Sequence, residues 1–356
     1  MRRQRPLSFL LALALVLTAG CGDEAEEEGS LRDTAGAVTE IETGESTGPA
    51  IRVGLVTDIG RLDDRSFNFL ANQGLERAEE ELGVDGRVVA SRSNADYVPN
   101  LSALAQQDYD LVIGVGFLMA EAIETVAGQF PGTRFAIVDH AQTAMDSKPK
   151  NVRGLLFAEQ EAGYLVGYLA GLVVEETGGA NPMVSSVGGQ KIPRVDRYIA
   201  GFRAGVRAAS PDITTLSAYS QDFVDQAKCK EIALDQISRG STVVFQVAGQ
   251  CGLGALNAAA EQNVDGIGVD VDQAYLGDHI LTSALKKVDV AVYQTVQEVQ
   301  NGTFAGGGDT VFDVASGGVG LGRVAPDVSG DILAQVSAAQ ARIASGAIAN
   351  IPEGLG

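Results

Sequence analysis

The chain has 356 residues, enough for two domains of ordinary size, with 45% hydrophobic residues, 44 Gly and no Trp. A formal net charge of −20 excludes the broad basic surface that nucleic-acid phosphates demand. Two His and three Cys, none at metal-ligand spacing, leave no His/Cys metal centre and call for no cofactor.

In chain order, residues 1–21 read as an export signal. Arg2, Arg3 and Arg5 form a basic start, and residues 9–17 an apolar run of signal-peptide length, too short to span a bilayer. L-T-A-G-C at 17–21 reads as a bacterial lipobox in which Cys21 becomes the lipid-bearing N-terminus. It departs from the usual pattern at Thr18, where Leu is commoner; the alternative is a secretory peptide cut elsewhere. Residues 22–48 are rich in Glu, Gly, Thr and Ser, with nine acids between Asp23 and Glu45 against the single base Arg32. Such a stretch cannot bury enough apolar surface to fold and reads as an acidic, disordered tether. No later segment is apolar for the length of a transmembrane helix, so lipid is the membrane attachment implied.

From residue 50 onward, short β-branched runs alternate with amphipathic stretches. Strands are expected at 51–56, 87–91, 111–115, 135–138, 154–157, 182–187, 213–217, 242–247, 266–269 and 279–283. Helical patterns lie at 67–82, 119–129, 161–176, 197–209, 227–239 and 253–262. Most of the strands are apolar on both faces, as parallel strands covered by helices should be. The alternation predicts an α/β fold of doubly wound sheets. The polar stretch 140–151 interrupts the rhythm and suggests a crossover between two lobes. One lobe is then expected at 49–145 and a second at 146–276, with part of 277–356 returning to the first. A cleft between the carboxyl ends of the two sheets would take the ligand.

The candidate residues fall at those strand ends. Asp58 closes the first strand and Phe67 opens its helix; Asp139 closes the fourth strand. Phe223 follows the strand at 213–217, Gly249, Gly252 and Gly254 follow that at 242–247, and Asp270 closes the next. Catalysis finds little support. His140 and His279 are far apart in sequence, and no nucleophile elbow or P-loop is present. G-Q-C-G-L-G at 249–254 is not a dinucleotide pattern in order and reads as a tight turn whose amides can touch a ligand. A site for a small polar ring compound fits better. Phe67 and Phe223 offer ring faces, and Asp58, Asn68, Asp139 and Asp270 offer hydrogen-bonding groups. Each Asp taken singly also reads as a helix N-cap, and Phe67 as a core residue. Asp63 and Asp64 read as capping or solvated residues.

The stretches VGLVTDIGRLDDRSFN, DLVIGVGF, FAIVDH, NVRGLLFAEQEAGYLVGYLAG, AGFRAGV and VFQVAGQCGLGALNAAAEQNVDGIGVDVDQ, in colinear order, resemble the basic-membrane-protein family of substrate-binding lipoproteins. That family includes purine nucleoside receptors of ABC transporters. The resemblance covers about 51–304 and implies a type I periplasmic-binding-protein fold, two doubly wound parallel-sheet lobes with the ligand between them. It implies no enzymatic step, delivery of a nucleoside to an ABC permease, and a base held between aromatic rings. Carried onto this chain, it gives Phe67 for stacking, Asp58 and Asn68 for hydrogen bonds, and Asp139 for a base or ribose contact. Asp270 and Lys286 match the ribose-side pair, with Lys287 the other candidate for the lysine. The second ring is Phe223, with Tyr198 as substitute. Arg61, Leu62 and Cys251 depart from the commoner family pattern beside this site.

Cys229 starts a helix and Cys251 follows the next strand, so both lie on one edge of the sheet. Outside the cytoplasm that proximity predicts a Cys229–Cys251 disulfide. The whole is read as a lipid-anchored, monomeric nucleoside receptor. The competing readings are a sugar or small-metabolite receptor on the same fold, a secreted nucleoside-acting enzyme, and a ligand-sensing regulator.

Overall fold

Strands apolar on both faces need helices on both faces, and the chain supplies them by strict alternation. The computed structural model describes residues 49–59, 62, 66–177 and 179–355. The signal peptide, Cys21, the tether and the loop residues Arg61, Asp63 and Asp64 lie outside the described residues.

The first lobe starts with β1 (Arg52–Ile59), α1 (Phe67–Leu82), β2 (Asp85–Ser91), α2 (Tyr97–Gln106) and β3 (Leu111–Val115). It continues with α3 (Ala120–Gln129), β4 (Arg134–Val138) and β5 (Val152–Phe157). The second lobe runs through α4 (Glu159–Thr177), β6 (Met183–Gly188), α5 (Pro193–Ala209), β7 (Thr214–Tyr219) and α6 (Gln226–Ser238). Then come β8 (Val243–Val247), α7 (Gly249–Gln262), β9 (Asp265–Asp270) and β10 (Ile280–Lys286). The chain recrosses through α8 (Val288–Gln300) to β11 (Gly308–Phe312), returns in β12 (Val319–Leu321), and ends on α9 (Gly330–Ala344).

Two six-stranded sheets result, in the orders β11-β5-β4-β3-β1-β2 and β12-β10-β9-β8-β6-β7. Apart from the edge strand β12, which runs antiparallel to β10, all pairings are parallel. The inner order is the same in both lobes, so each sheet reverses direction of winding between its first and third strands. These switch points leave a crevice at the carboxyl ends of β1 and β3 in one lobe and of β6 and β8 in the other.

One expectation needs correction. The polar stretch 140–151 does not carry the chain to the second lobe: it makes a 3₁₀ turn, Gln142–Ala144, and returns as β5 beside β4. The first crossover therefore falls after Phe157, and 152–157 belongs to the first lobe. Gln142 Nε2 donates to the Pro149 carbonyl at 3.0 Å, and its N–H donates to Asp309 Oδ1 at 2.6 Å, tying this excursion to β11. The segment after 277 divides. β10, β12 and α9 stay with the second lobe, while β11 pairs with β5 and α8 packs on α1.

The helix pair α4 and α5 packs backbone to backbone. A Cβ on Gly163 would stand 2.2 Å from the Tyr198 carbonyl oxygen, and one on Gly167 2.1 Å from that of Phe202. No side chain larger than hydrogen fits at that separation, and the close approach seats the start of α5 against the start of α4. Helices α6 and α7 are joined by a Cys229–Cys251 disulfide with a Cα–Cα distance of 5.6 Å, both residues fully buried.

Candidate functional site

Residues from both lobes line one cleft: Asp58, Ser66, Phe67, Asn68, Phe117 and Asp139 from the first, and Arg194, Tyr198, Phe223, Gly249, Asp270 and Lys286 from the second. Of the residues singled out in the sequence, Gly252 is not among those lining it. Its Cα faces inward against Gln246, where an added Cβ would meet Oε1 at 1.8 Å. It is a spacer that lets Gln246 accept the Ala248 N–H at 3.1 Å and donate to Gln273 Oε1 at 2.8 Å. Of the alternatives for the lysine and the second ring, Lys286 lines the cleft and Lys287 does not, while Phe223 and Tyr198 both line it.

Asp139 and Asp270 occupy equivalent places, one residue past β4 and at the end of β9. Both adopt the left-handed conformation, with φ of 67° and 64°. Asp tolerates that region better than most residues but still at a cost, which strand ends facing a ligand commonly carry. Between them stands Lys286, the last residue of β10, only 2% exposed. Its Nζ donates to Asp139 Oδ2 at 2.7 Å and to Glu159 Oε1 at 3.1 Å. The ammonium also lies 5.3 Å from the Phe67 ring centroid and 4.9 Å from that of Phe157, within cation–π range. Burial alone would lower the Lys286 ammonium; the carboxylates of Asp139, Glu159 and Asp270 outweigh it and hold it above the ordinary lysine value.

Asp58 sits at the switch point of the first lobe. Its Oδ1 accepts from the Tyr97 hydroxyl and from the Ile59 N–H, while its own N–H donates to Asn68 Oδ1 at 3.2 Å. Gly116, at φ 110°, makes room for the carboxylate: a Cβ there would stand 2.4 Å from Asp58 Oδ2. Burial raises the Asp58 carboxyl above its ordinary value, against the lowering hydrogen bonds from Tyr97 and Ile59, and Asp139 adds to the rise.

Ser66 precedes α1, where Ser normally caps its own helix. Here its hydroxyl instead donates to Asp270 Oδ2 across the cleft at 2.6 Å. In the other direction Arg194 Nε donates to the Asp139 carbonyl at 3.2 Å. These two bonds bridge the lobes. The Phe223 loop is fixed from below, its carbonyl accepting the Cys251 N–H at 3.0 Å.

Sequence reasoning missed Ser66, Tyr97, Glu159 and Arg194. Pro193 at the first turn of α5 marks the helix start and so the loop end where Arg194 stands. Glu159 was visible only as the first of two acids, Glu159 and Glu161, at the start of a helical pattern. Among the described residues no group of three or more His, Cys, Asp or Glu could hold a metal ion, and no helix is long and apolar enough to cross a membrane.

A cleft at two switch points, lined by ring faces, carboxylates, a lysine and an arginine, is the arrangement of a solute-binding protein. The profile of the Bmp family, described as ABC transporter substrate-binding protein PnrA-like, matches residues 51–350, and the chain belongs to that family. A CD4+ T-cell-stimulating antigen of Listeria innocua is 34% identical over 97% of this chain and 98% of its own. The ABC transporter nucleoside-binding protein BmpA of Lactococcus lactis is 29% identical over 90% of this chain and 91% of its own. Among solved structures, an ABC transporter solute-binding protein from Aeropyrum pernix superposes with a TM-score of 0.76 at 29% identity, over 85% of this chain and 94% of that one. The fold is that of type I periplasmic binding proteins, and the chain is a substrate-binding component of an ABC transporter, not an enzyme.

Proposed function

We propose that the chain is a lipid-anchored extracytoplasmic receptor that captures nucleosides, purine nucleosides first, and delivers them to an ABC permease. The observation that carries this reading is the pairing of aromatic walls with a charged floor. Phe67 and Phe223 line the cleft from opposite lobes, and Asp139, Asp270 and Lys286 line it beside them. A heteroaromatic base takes the ring faces, and a ribose takes the acids and the ammonium. Asp139 Oδ1 is buried with no hydrogen-bond partner among the described residues. A carboxylate oxygen in that state is costly, and a ligand hydroxyl would relieve it. Two of the three Lys286 donors are engaged by Asp139 and Glu159, which leaves one for a ribose oxygen. Asp58 and Asn68 face the base edge. Anchoring rests on the basic start, the short apolar run and L-T-A-G-C ending at Cys21. A monomer suits a receptor that opens and closes around its ligand.

The test is isothermal titration of the chain lacking residues 1–21 after unfolding and refolding to strip carried ligand. Guanosine, adenosine, inosine, cytidine, uridine and ribose are compared. Submicromolar binding of the purine nucleosides with none of ribose is the expected result. Silence towards every nucleoside would sink the ligand assignment and leave the fold standing.

A further inference from the structure

Glu159 opens α4, just past the first crossover. Its residue is 0% exposed, and it does not line the cleft. Oε1 accepts from Lys286 Nζ at 3.1 Å and stands 3.8 Å from Arg194 Nη1; Oε2 stands 3.6 Å from Arg197 Nη1. Among the described residues, Lys286 and Arg194 are the two cationic ones lining the cleft, so one carboxylate beneath the floor faces both. A buried ammonium or guanidinium stripped of water is tolerated only with a carboxylate in contact.

Lys286 has two such partners, and they differ in which lobe they ride on. Asp139 ends a strand of the first sheet, across the cleft from β10. Glu159 belongs to α4, which packs on α5 and β10 in the second lobe. If the lobes part, Asp139 moves away with its sheet while Glu159 stays with Lys286 and Arg194. The tight α4–α5 contact at Gly163 and Gly167 fixes that geometry from behind.

We propose that Glu159 is the positioning residue of the ligand cleft: it keeps Lys286 charged and in place for the ligand, and steadies Arg194, in the open and closed arrangements alike. This rests on the reading in which Lys286 hydrogen-bonds the ligand. The charged and titratable groups around Glu159 are Lys286 from β10, Asp139 past β4, and Arg194, Arg197 and Tyr198 from α5. Glu353 stands beyond Arg197, 2.8 Å from its Nη2, and Asp270 acts on Lys286 from the far side. Burial raises the Glu159 carboxyl; Lys286 opposes the rise, Asp139 adds to it, and Arg194 and Arg197 oppose it. Three cations, Lys286, Arg194 and Arg197, stand within 4 Å of its oxygens.

The experiment uses the full chain with lysines labelled at the ε-carbon, the Lys286 resonance being assigned by its loss in Lys286→Met. In the wild type this ammonium should titrate above the ordinary lysine range. In Glu159→Gln it should titrate at lower pH, guanosine affinity should fall at least about tenfold, and the loss should deepen as pH rises. In a Lys286→Met background Glu159→Gln should add no comparable loss, because the charge it serves is gone. Wild-type affinity and an unmoved Lys286 titration in Glu159→Gln would overturn the proposal. Should Glu159→Gln fail to fold, Glu159→Asp keeps the charge but withdraws it by one methylene; an unchanged Lys286 titration there is equally fatal. If the wild type binds no nucleoside, the ligand reading fails, while the lysine titration needs no ligand and still decides the role of Glu159.

Discussion

A carboxylate that binds a ligand must be partly stripped of water before the ligand arrives, and that costs stability. Asp58 shows the sign of the trade. Its folded-state carboxyl is raised by burial. The stability linked to its proton is therefore full below the ordinary aspartate value and is lost as pH rises through the raised one. At neutral pH the charged form is a net burden on the fold. Asp58→Asn keeps the acceptor for Tyr97 and the Ile59 N–H and removes the charge. It should melt no lower than the wild type at pH 7, with an advantage that vanishes as pH falls toward about 4, while nucleoside affinity drops. A lower melting temperature at pH 7 with affinity intact would mean that Asp58 serves the fold rather than the ligand. Phe67 gives the complementary case. It is half-buried against the edge of the core and lines the cleft. Phe67→Ala should weaken nucleoside binding by about 1–3 kcal/mol, the usual worth of a base stacked on an aromatic ring. Ribose affinity, if measurable, should stay put, and titration calorimetry separates the two.

Among the elements, α4 and α5 show how a helix pair can override propensity. Ala is the better helix former by about 1 kcal/mol, so Gly167→Ala would help an isolated α4. In the protein the new Cβ meets the Phe202 carbonyl oxygen at 2.1 Å, and backbone cannot step aside as a side chain can. The substitution should destabilise by about 1–3 kcal/mol, read from urea denaturation midpoints at unchanged slope. Such helix pairing is invisible to periodicity, although the spacing of Gly163, Gly167 and Gly171 is plain in the sequence. Strands were more legible. Leu111–Val115 is fully buried, and its short, β-branched apolar run reads as a covered parallel strand. Gly308–Phe312 and Val319–Leu321 carry too few apolar side chains to stand out, because they are edge strands with one side unpaired. The crossover was misplaced for a different reason. The polar run at 140–151 marks where the chain leaves regular structure, but no local property encodes which sheet the next strand joins. For the site, residues one step past an apolar run were legible because strand ends face the switch point. Glu159 was not, because its partners Lys286 and Arg194 come from remote stretches, and Gly252 looked like a cleft residue because its neighbour Gly249 lines the cleft.

At the scale of the molecule, the chain crosses between lobes after Phe157, after Lys286 and after Phe312. These three passages lie close together, with Phe157 and Phe312 stacked at 5.3 Å between centroids and Lys286 Nζ 4.9 Å from the Phe157 ring, so they can act as one hinge rather than three separate links. A hinge lets the lobes rotate, yet it does not make them independent folding units. The main apolar cluster runs without a break from Val53 and Ile113 in the first sheet through Leu165 of α4 to Phe245 and Ile267 in the second. Neither lobe can shed its contacts without exposing apolar surface on the other. Differential scanning calorimetry should therefore show one transition for the chain, free or bound. Saturating nucleoside, at about a hundred times its dissociation constant, should shift that transition as a whole by the roughly 2.7 kcal/mol that mass action supplies. Two resolved transitions, with only one of them moved by ligand, would mean that each lobe holds a core of its own and that the shared cluster is too weak to couple them.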